Sequence, residues 1–359
     1  MNIATPPPGG QRIPVAVLGA TGSVGQRMVS LLADHPWFEP RVLLASERSA
    51  GRKFSEAASW ILPGPIPAAV ADLEVLHVGA PPDVPLVFSA LDASVAGAAE
   101  KTCAEAGSLV VSNARSHRYD RDVPLLVPEV NADHLDLLPH QSTTGGIITN
   151  PNCSTIGLVL ALKPLSDRFG VRRVSVVTLQ ALSGAGLPGV PSMHVIDNVI
   201  PFIPGEEEKL EKEPLKILGT LKGSHVEPAD LVVSAQCNRV PVLDGHTEAV
   251  SIELASGASE DDLWEAWVGF RGEPQRLELP SAPRQPIHRI RRPDGPQPRL
   301  HRDLEGGMAT AIGRLRTCPI LDFRFVLLSH NTLRGAAGGS LLAGELAMAR
   351  GLVPGVTGM

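Results

Sequence analysis

The sequence predicts an α/β protein: a doubly wound parallel sheet comes first and a second unit of longer strands follows. Three observations carry this. An apolar strand runs directly into a glycine-rich turn and a helix between residues 13 and 32, strand-and-helix units then repeat as far as residue 112, and beyond a helix near residue 153 the pattern changes to strands, one of which, 248–254, alternates strictly. Strands interleaved with helices form a parallel sheet covered on both faces. Strict alternation marks a strand with one buried face.

Each element has its own justification. Residues 13–18 are an apolar strand, and Gly19-Ala20-Thr21-Gly22-Ser23-Val24-Gly25 leads into a helix through 26–32. Strand, glycine turn and helix N-terminus together cradle a pyrophosphate, because backbone N–H groups point outward and absent side chains allow close approach. The glycine spacing alone is weak; its place between strand and helix gives it weight. The strand 41–45 ends in Ser46-Glu47-Arg48-Ser49. An acid at this point suits the ribose 2′-OH of NAD, and a nearby Arg suits the 2′-phosphate of NADP. Ser46, Arg48 and Ser49 against Glu47 favour NADP over NAD; the bland alternative is a solvated charged loop. Residues 85–88 form a strand leading through Ser89 into an Ala-rich helix, and 108–111 form the next, followed by Asn113. Ligands bind at the carboxyl ends of such strands, so Ser89, Asn113 and the loop carrying Arg115 and Arg118 face the site.

Pro151 disfavours helical geometry at Asn150, so the apolar helix that follows begins near 152–154 and places Cys153 at its N-terminus. Unpaired N–H groups and the helix dipole stabilise a thiolate there. This predicts that Cys153 meets alkylating agents ahead of Cys103, Cys237 and Cys318. The bland alternative is a small buried thiol used as a hydrophobe. Further on, 174–181 is a strand, 183–186 a flexible turn, 205–210 the start of a charged helix whose charges are mostly solvated, and 231–235 a strand. Arg239 and His246 lie seven residues apart and would face opposite ways on one straight strand; Pro241 and the Asp244-Gly245 turn break it and let both reach one pocket. The Pro- and Arg-rich stretch 274–302 reads as an extended surface arm. A Gly-rich apolar helix over 341–349 suits close packing back on the nucleotide-binding unit.

Composition sets the limits. A chain of 359 residues suits two domains. Net charge −6 and a pI near 6.0 argue against nucleic acid as the main partner, including an RNA-binding role for the Arg-rich arm. The four cysteines are widely spaced, which fits neither a disulfide framework nor a metal site and suits a reducing cytoplasm. The start, 1–12, reads as a disordered tail rather than a signal peptide, and no apolar run approaches the ~20 residues of a membrane span.

Taken together, Gly19-Ala20-Thr21-Gly22-Ser23-Val24-Gly25, Asn150-Pro151-Asn152-Cys153-Ser154-Thr155, Asp244-Gly245-His246-Thr247-Glu248 and His330-Asn331-Thr332-Leu333-Arg334-Gly335-Ala336-Ala337-Gly338-Gly339 resemble the aspartate-β-semialdehyde dehydrogenases, above all their archaeal and fungal branch. The resemblance extends over nearly the whole chain after about residue 12. It implies a Rossmann-type NADP-binding domain (13–152), a catalytic and dimerisation domain (153–330) and a C-terminal helix completing the first (331–359). It implies NADPH-dependent reduction of L-aspartyl 4-phosphate to the semialdehyde, with inorganic phosphate released, in a homodimer or homotetramer. By family pattern Cys153 is the nucleophile, His246 the general acid/base, and Gln180 the group that orients the acyl enzyme. Arg239 would hold the α-carboxylate and Glu206 the ammonium; the run Glu206-Glu207-Glu208 leaves that alignment open by a residue. Arg118 and Lys209 would bind phosphate, with Asn113 beside them. Gly19, Thr21, Gly22, Ser23, Val24, Ser46, Arg48, Ser49, Ser89, Ser183, Gly184 and Asn331 would meet the cofactor, and no metal is implied. Malonyl-CoA reductase and N-acetyl-glutamyl-phosphate reductase remain rivals on the same fold, and a non-catalytic nucleotide-binding module is a rival of another class.

Overall fold

A computed structural model describes residues 11–356. The first ten residues of the expected tail lie outside the described residues, while Arg12 is anchored through its guanidinium to the Ala33 carbonyl.

The first sheet contains β1 (Ile13–Leu18), β2 (Phe38–Ala45), β3 (Val75–His77), β4 (Leu86–Ser89), β5 (Leu109–Ser112) and β6 (Gly146–Thr149) in the order β3-β2-β1-β4-β5-β6. Every pairing is parallel. The order reverses at β1, and the cleft outside its carboxyl end is where an open α/β sheet takes a ligand. Helix α1 (Ser23–Ala33) lies against β1 and β2, and α2 (Ala93–Glu105) against β4 to β6. The two strands of this sheet that sequence missed, β3 and β6, have only three and four residues.

Helix α3 (Cys153–Phe169) joins the two sheets. Every residue from Ser154 to Leu162 is buried, as its unbroken apolar run requires: a helix apolar all round has no solvent face. The second sheet has the order β10-β7-β11-β14-β13-β12. Its members are β7 (Val171–Gln180), β10 (Val232–Arg239), β11 (His246–Leu254), β12 (Ile287–Ile290), β13 (Thr310–Thr317) and β14 (Phe323–Ser329), and a small hairpin, β8 (Thr220–Lys222) with β9 (His225–Glu227), stands apart. Helices α3, α4 (Glu206–Ile217) and α5 (Glu260–Gly269) cover one face. The other face, with Leu179, Val232, Ser234 and Ala249 exposed, is bare among the described residues. The Pro/Arg stretch is no surface arm: it buries Pro274 and Leu279, supplies β12 to the sheet edge, and stacks Arg289 over Trp264 at 4.3 Å.

The last helix, α6 (Gly338–Ala349), returns to the first sheet as expected. Leu341, Leu342, Leu346 and Ala347 join the core formed by Val15, Val17, Leu86 and Phe88. At Gly344 a Cβ would stand 2.8 Å from the Phe88 ring, so only glycine lets the helix approach this closely. Among the described residues no helix is long and apolar enough to cross a membrane.

Candidate active site

The strand register assembles the site. Arg239 pairs with Gln180 across β10 and β7, His246 pairs with Ser329 across β11 and β14, and His246 lies one step beyond the Thr247–Leu179 pair. Arg239, Gln180, His246 and Ser329 therefore form one row across four strands on the face that α3 covers. The break at residues 240–245 moves Arg239 and His246 onto separate strands, and that change of strand aims both at one pocket.

Above this row stands the N-terminus of α3. Asn152 caps it, accepting from the Ser154 N–H at 3.0 Å, and Cys153 is the first helical residue. Cys153 Sγ lies 3.1 Å from His246 Nε2, and the Ala181 N–H donates to Nδ1 at 3.0 Å. The Arg239 guanidinium donates to the Ala181 carbonyl at 2.6 Å. Glu206, at the start of α4, accepts from Lys209 (2.6 Å), Asn152 (2.8 Å) and Gln180 (3.2 Å). Of the three consecutive glutamates it is the buried one facing the site.

The expected standing thiolate is not what this environment favours. Cys153 keeps some solvent contact, yet burial, reinforced by Glu206, pushes its thiol up to about 12; Arg118, Lys209 and Arg239 pull the other way and lose. A helix terminus contributes at most about 2 kcal/mol, whereas withdrawing a charge from water costs several. Burial, then Arg239, pushes His246 down to about 3. The resting pair is thus a thiol beside a neutral imidazole. Cys318, half-exposed, has its thiol lowered by the backbone N–H groups of Leu321 and Ile320, while burial raises Cys103 and Cys237 to about 11. In the free protein Cys318, not Cys153, should react first with an alkylating agent, reversing the sequence-based expectation.

Arg118 is buried, donating to Glu213 at 2.8 Å and to the Asn113 carbonyl at 2.9 Å. Glu213 also accepts from the Asn152 N–H at 2.7 Å, so one carboxylate ties Arg118 to the N-terminus of the Cys153 helix. Sequence reasoning missed Glu213 among the charges of α4. The signal was its spacing, because Glu206, Leu210, Glu213 and Ile217 share one helical face. Asn113 stands further back than expected: its amide is occupied by Asn150, Ser340 and the Ser89 carbonyl. Its contribution is to hold Arg118.

The glycine loop has the tight geometry that a phosphate cradle needs. Gly19 adopts φ +75°, with a hypothetical Cβ 2.6 Å from the Ala90 carbonyl, and a Cβ at Gly25 would fall 2.0 Å from the Gly19 oxygen. Buried Gln26, also missed, pins the loop through the Thr21 and Ser59 carbonyls. Ser46 and Arg48 are exposed just past β2, while Ser49 is buried in the turn it makes with Ser46. Two expected cofactor residues have other work. The Ser89 hydroxyl is fully buried and donates to Glu100 at 2.6 Å. Asn331 accepts from the Gly245 N–H and donates to the Ser183 hydroxyl, both at 2.8 Å, so it fastens the 183–186 turn instead. A side chain on Gly184 would meet Arg239 and His246 at 3.1 and 3.2 Å, and one on Gly186 would come within 3.9 Å of Ser23 Oγ. That turn lies against both the Arg239–His246 row and the glycine loop.

Residues 14–138 match the family model described as semialdehyde dehydrogenase, NAD binding domain, and residues 162–334 match the semialdehyde dehydrogenase dimerisation domain. The chain belongs to the semialdehyde dehydrogenase family. Within the family it is similar to the aspartate-semialdehyde dehydrogenase of Methanothermobacter thermautotrophicus (51% identity, covering 92% of this chain and 98% of that one). The Saccharomyces cerevisiae enzyme of the same name is 46% identical over 94% and 98% of the two chains. Among solved members, the Candida albicans aspartate semialdehyde dehydrogenase with NADP superposes at TM-score 0.89, with 44% identity over 95% of this chain and 100% of that one.

One buried acid of the family site has no visible task. Glu248, one row beneath His246, is fully buried with neither oxygen partnered in the described structure, and burial raises its pKa well above the usual carboxyl value. The folded carboxyl keeps its proton to higher pH than the unfolded one, so Glu248 opposes folding increasingly as pH rises above the unfolded carboxyl value. Glu248→Gln should therefore lose less stability than the parent as pH rises above about 5. Parallel urea midpoints across that range would refute it.

Proposed function

We propose that this protein reduces L-aspartyl 4-phosphate to L-aspartate 4-semialdehyde with NADPH, releasing inorganic phosphate. The observation that carries the proposal is the Cys153–His246 contact at 3.1 Å, ringed by the cations Arg118, Lys209 and Arg239. The names of the relatives support it. Cys153 attacks the acyl carbon and becomes the thioacyl carrier, splitting one hard step into two. His246, in contact with the sulfur, serves as general acid/base, and Gln180 orients the acyl group. Arg239 takes the α-carboxylate, a planar task suited to guanidinium, and Glu206 the ammonium. Arg118 and Lys209 receive the phosphate. Gly19, Thr21, Gly22, Ser23 and Val24 cradle the cofactor pyrophosphate, with Ser183 and Gly184 across the cleft; bound there, the nicotinamide supplies the hydride that yields the aldehyde.

Residues 13–152 with 331–359 serve as the NADP-binding domain, and 153–330 as the catalytic and dimerisation domain. The bare face of the second sheet suits a second copy, giving a homodimer or a homotetramer built from two. The four free cysteines suit the cytoplasm. Ser46 and Arg48 favour the 2′-phosphate, so kcat/KM should be higher with NADP than with NAD; equal values would assign the site to Glu47.

The deciding assay is NADP+ reduction with aspartate semialdehyde and phosphate, run beside malonate semialdehyde with CoA. Activity only in the second would replace the acyl phosphate with a thioester. Arg118→Ala should weaken phosphate by about 2–5 kcal/mol, the range for truncating one partner of a desolvated charge pair, and leave semialdehyde KM nearly unchanged. It is best read in a Glu213→Gln background, where no buried charge is left unpaired. Arg239→Ala should raise semialdehyde KM first. An unchanged phosphate KM in the Arg118 variant would put the phosphate elsewhere.

A further inference from the structure

Helix α4 holds Arg118 at both ends. Glu213 accepts from its guanidinium at 2.8 Å, and Lys216, three residues on, donates to its backbone carbonyl at 2.9 Å. The same ammonium donates to the carbonyls of Asp120 at 2.7 Å and Val123 at 2.8 Å. All three of its N–H bonds are thus spent on one loop, 118–123. The amides of Arg118, Asp120 and Val123 make only long backbone bonds, of 3.3, 3.2 and 3.4 Å, so the lysine supplies the shorter ties. Arg118 keeps one group unspent, because its Nε–H is buried with no partner among the described residues.

We propose that Lys216 is a positioning residue for phosphate, the hub that fixes the 118–123 loop and with it the Arg118 guanidinium. This role rests on Arg118 being the phosphate ligand, as the proposed reaction has it. Three converging carbonyls need three donors on one atom and no lone pair, which among side chains only an ammonium supplies. A neutral amine has two N–H bonds and turns its lone pair on the third carbonyl. Losing the proton therefore frees one edge of the loop, and the backbone of Arg118 loses its fixed reference to α4.

Phosphate affinity then depends on pH, with the sign set by the lysine. Burial pushes the Lys216 ammonium down to about 8, while Asp120 and Asp122 on the loop oppose this and lose. The 132–140 segment brings His134 near it, whose ring is lowered by burial first and by Lys216 and Lys163 of α3 further. On its own helix, Glu213 is already taken by Arg118 and the Asn152 N–H. Lys216 is thus charged at neutral pH and neutral well above pH 8. Phosphate, held better by the charged form, must in turn make that proton harder to lose. Inorganic phosphate stays a dianion across this range, so its own ionisation does not imitate the effect.

Two measurements on the full-length protein test this. Lys216→Met keeps the apolar stem and removes the donors. With NADP+ and aspartate semialdehyde, it should raise the phosphate KM about tenfold or more at neutral pH, as expected for losing a charged hydrogen bond. Semialdehyde KM and kcat should stay close to the parent's, the pattern of a lost binding interaction rather than a damaged fold. As pH rises through about 8, the ratio of the two phosphate KM values should close toward one, because the parent's own lysine is then neutral. A ratio near one at neutral pH, or one that does not change with pH, would overturn the proposal. Amide hydrogen exchange at 118–123 is the second measurement and needs no substrate. At neutral pH these amides should exchange faster in the variant, and the difference should vanish at alkaline pH; equal exchange throughout would also overturn it. If the parent shows no phosphate-dependent turnover, the reaction has been misassigned, and exchange still decides whether Lys216 holds the loop. If the Met variant does not fold, the parent alone decides: protection at 118–123, corrected for intrinsic exchange, should fall through about pH 8 while that of β5 holds.

Discussion

Cys153→Ser should fold, bind NADP and lose nearly all turnover. The hydroxyl is a far weaker nucleophile, and it fits where the thiol sits, at the first position of α3 beside a capping Asn152. Nothing in the scaffold should therefore change: the caps, the Glu206 cluster and the His246–Ala181 bond do not involve sulfur. Removing the nucleophile from a covalent mechanism costs several orders of magnitude, so retention of more than about a hundredth of the parent activity would exclude a thioacyl enzyme. Cofactor binding, followed by quenching or calorimetry, should be within about a factor of two of the parent, because the substitution exchanges one sulfur for an oxygen and removes nothing from the glycine loop.

Arg334→Met should cost about 3–5 kcal/mol of stability, the price of leaving one member of a buried ion pair alone. Arg334 is fully buried and clamps both oxygens of Glu129, itself almost without exposure. The pair fixes a π-helical turn, Leu333–Ala337, in which Gly335 is so close to Cys153 that a Cβ there would stand 2.7 Å from the cysteine Cβ. Changing Arg334 and Glu129 together to apolar residues should restore much of the loss, since no charge then remains unmatched. Urea midpoints of the two single variants and the double variant check both statements; a single-variant cost below about 1 kcal/mol would mean that water reaches Glu129. Because the turn rests on Cys153, the proposed nucleophile, activity should fall further than stability does at temperatures where the variant is folded.

The sequence was most legible where local chemistry and fold agree. The glycine turn after β1, the capped start of α3 and the apolar final helix are each stated by a handful of consecutive residues, and each is where it was expected. Gln180, Arg239 and His246 were legible as candidates, but their shared row depends on strand register, which no single stretch contains. The errors have the same root. Cys153 looked like a thiolate because its helix terminus is local, whereas the burial and the Glu206 carboxylate that oppose ionisation arrive from other elements. Ser89 and Asn331 sit at the ends of strands facing the cleft, yet Glu100 and Ser183 claim their side chains. Glu213, Glu129 and Arg334 were invisible as a class, since a charged residue reads as solvated until its buried partner is known. The stretch 274–302 looked like an arm because prolines and arginines dominate it, while its few apolar residues, Leu279 and Ile287 among them, do the packing.

The return of α6 to the first sheet has a consequence for the newborn chain. Residues 86–112 leave the ribosome long before residues 338–349, so β4 and β5 must wait, with Phe88 and Leu86 uncovered, while the entire second sheet is translated. A chain stalled or cut before residue 338 would carry a complete Cys153 helix on a nucleotide-binding sheet lacking one of its covering layers. Synthesis at roughly 5–20 residues per second leaves that apolar face open for tens of seconds, so this enzyme should depend on holding chaperones during translation more than its finished stability suggests. The helix completes the core that Ala20 of the glycine loop shares, so chains cut before residue 338 should bind NADP more weakly than the full chain.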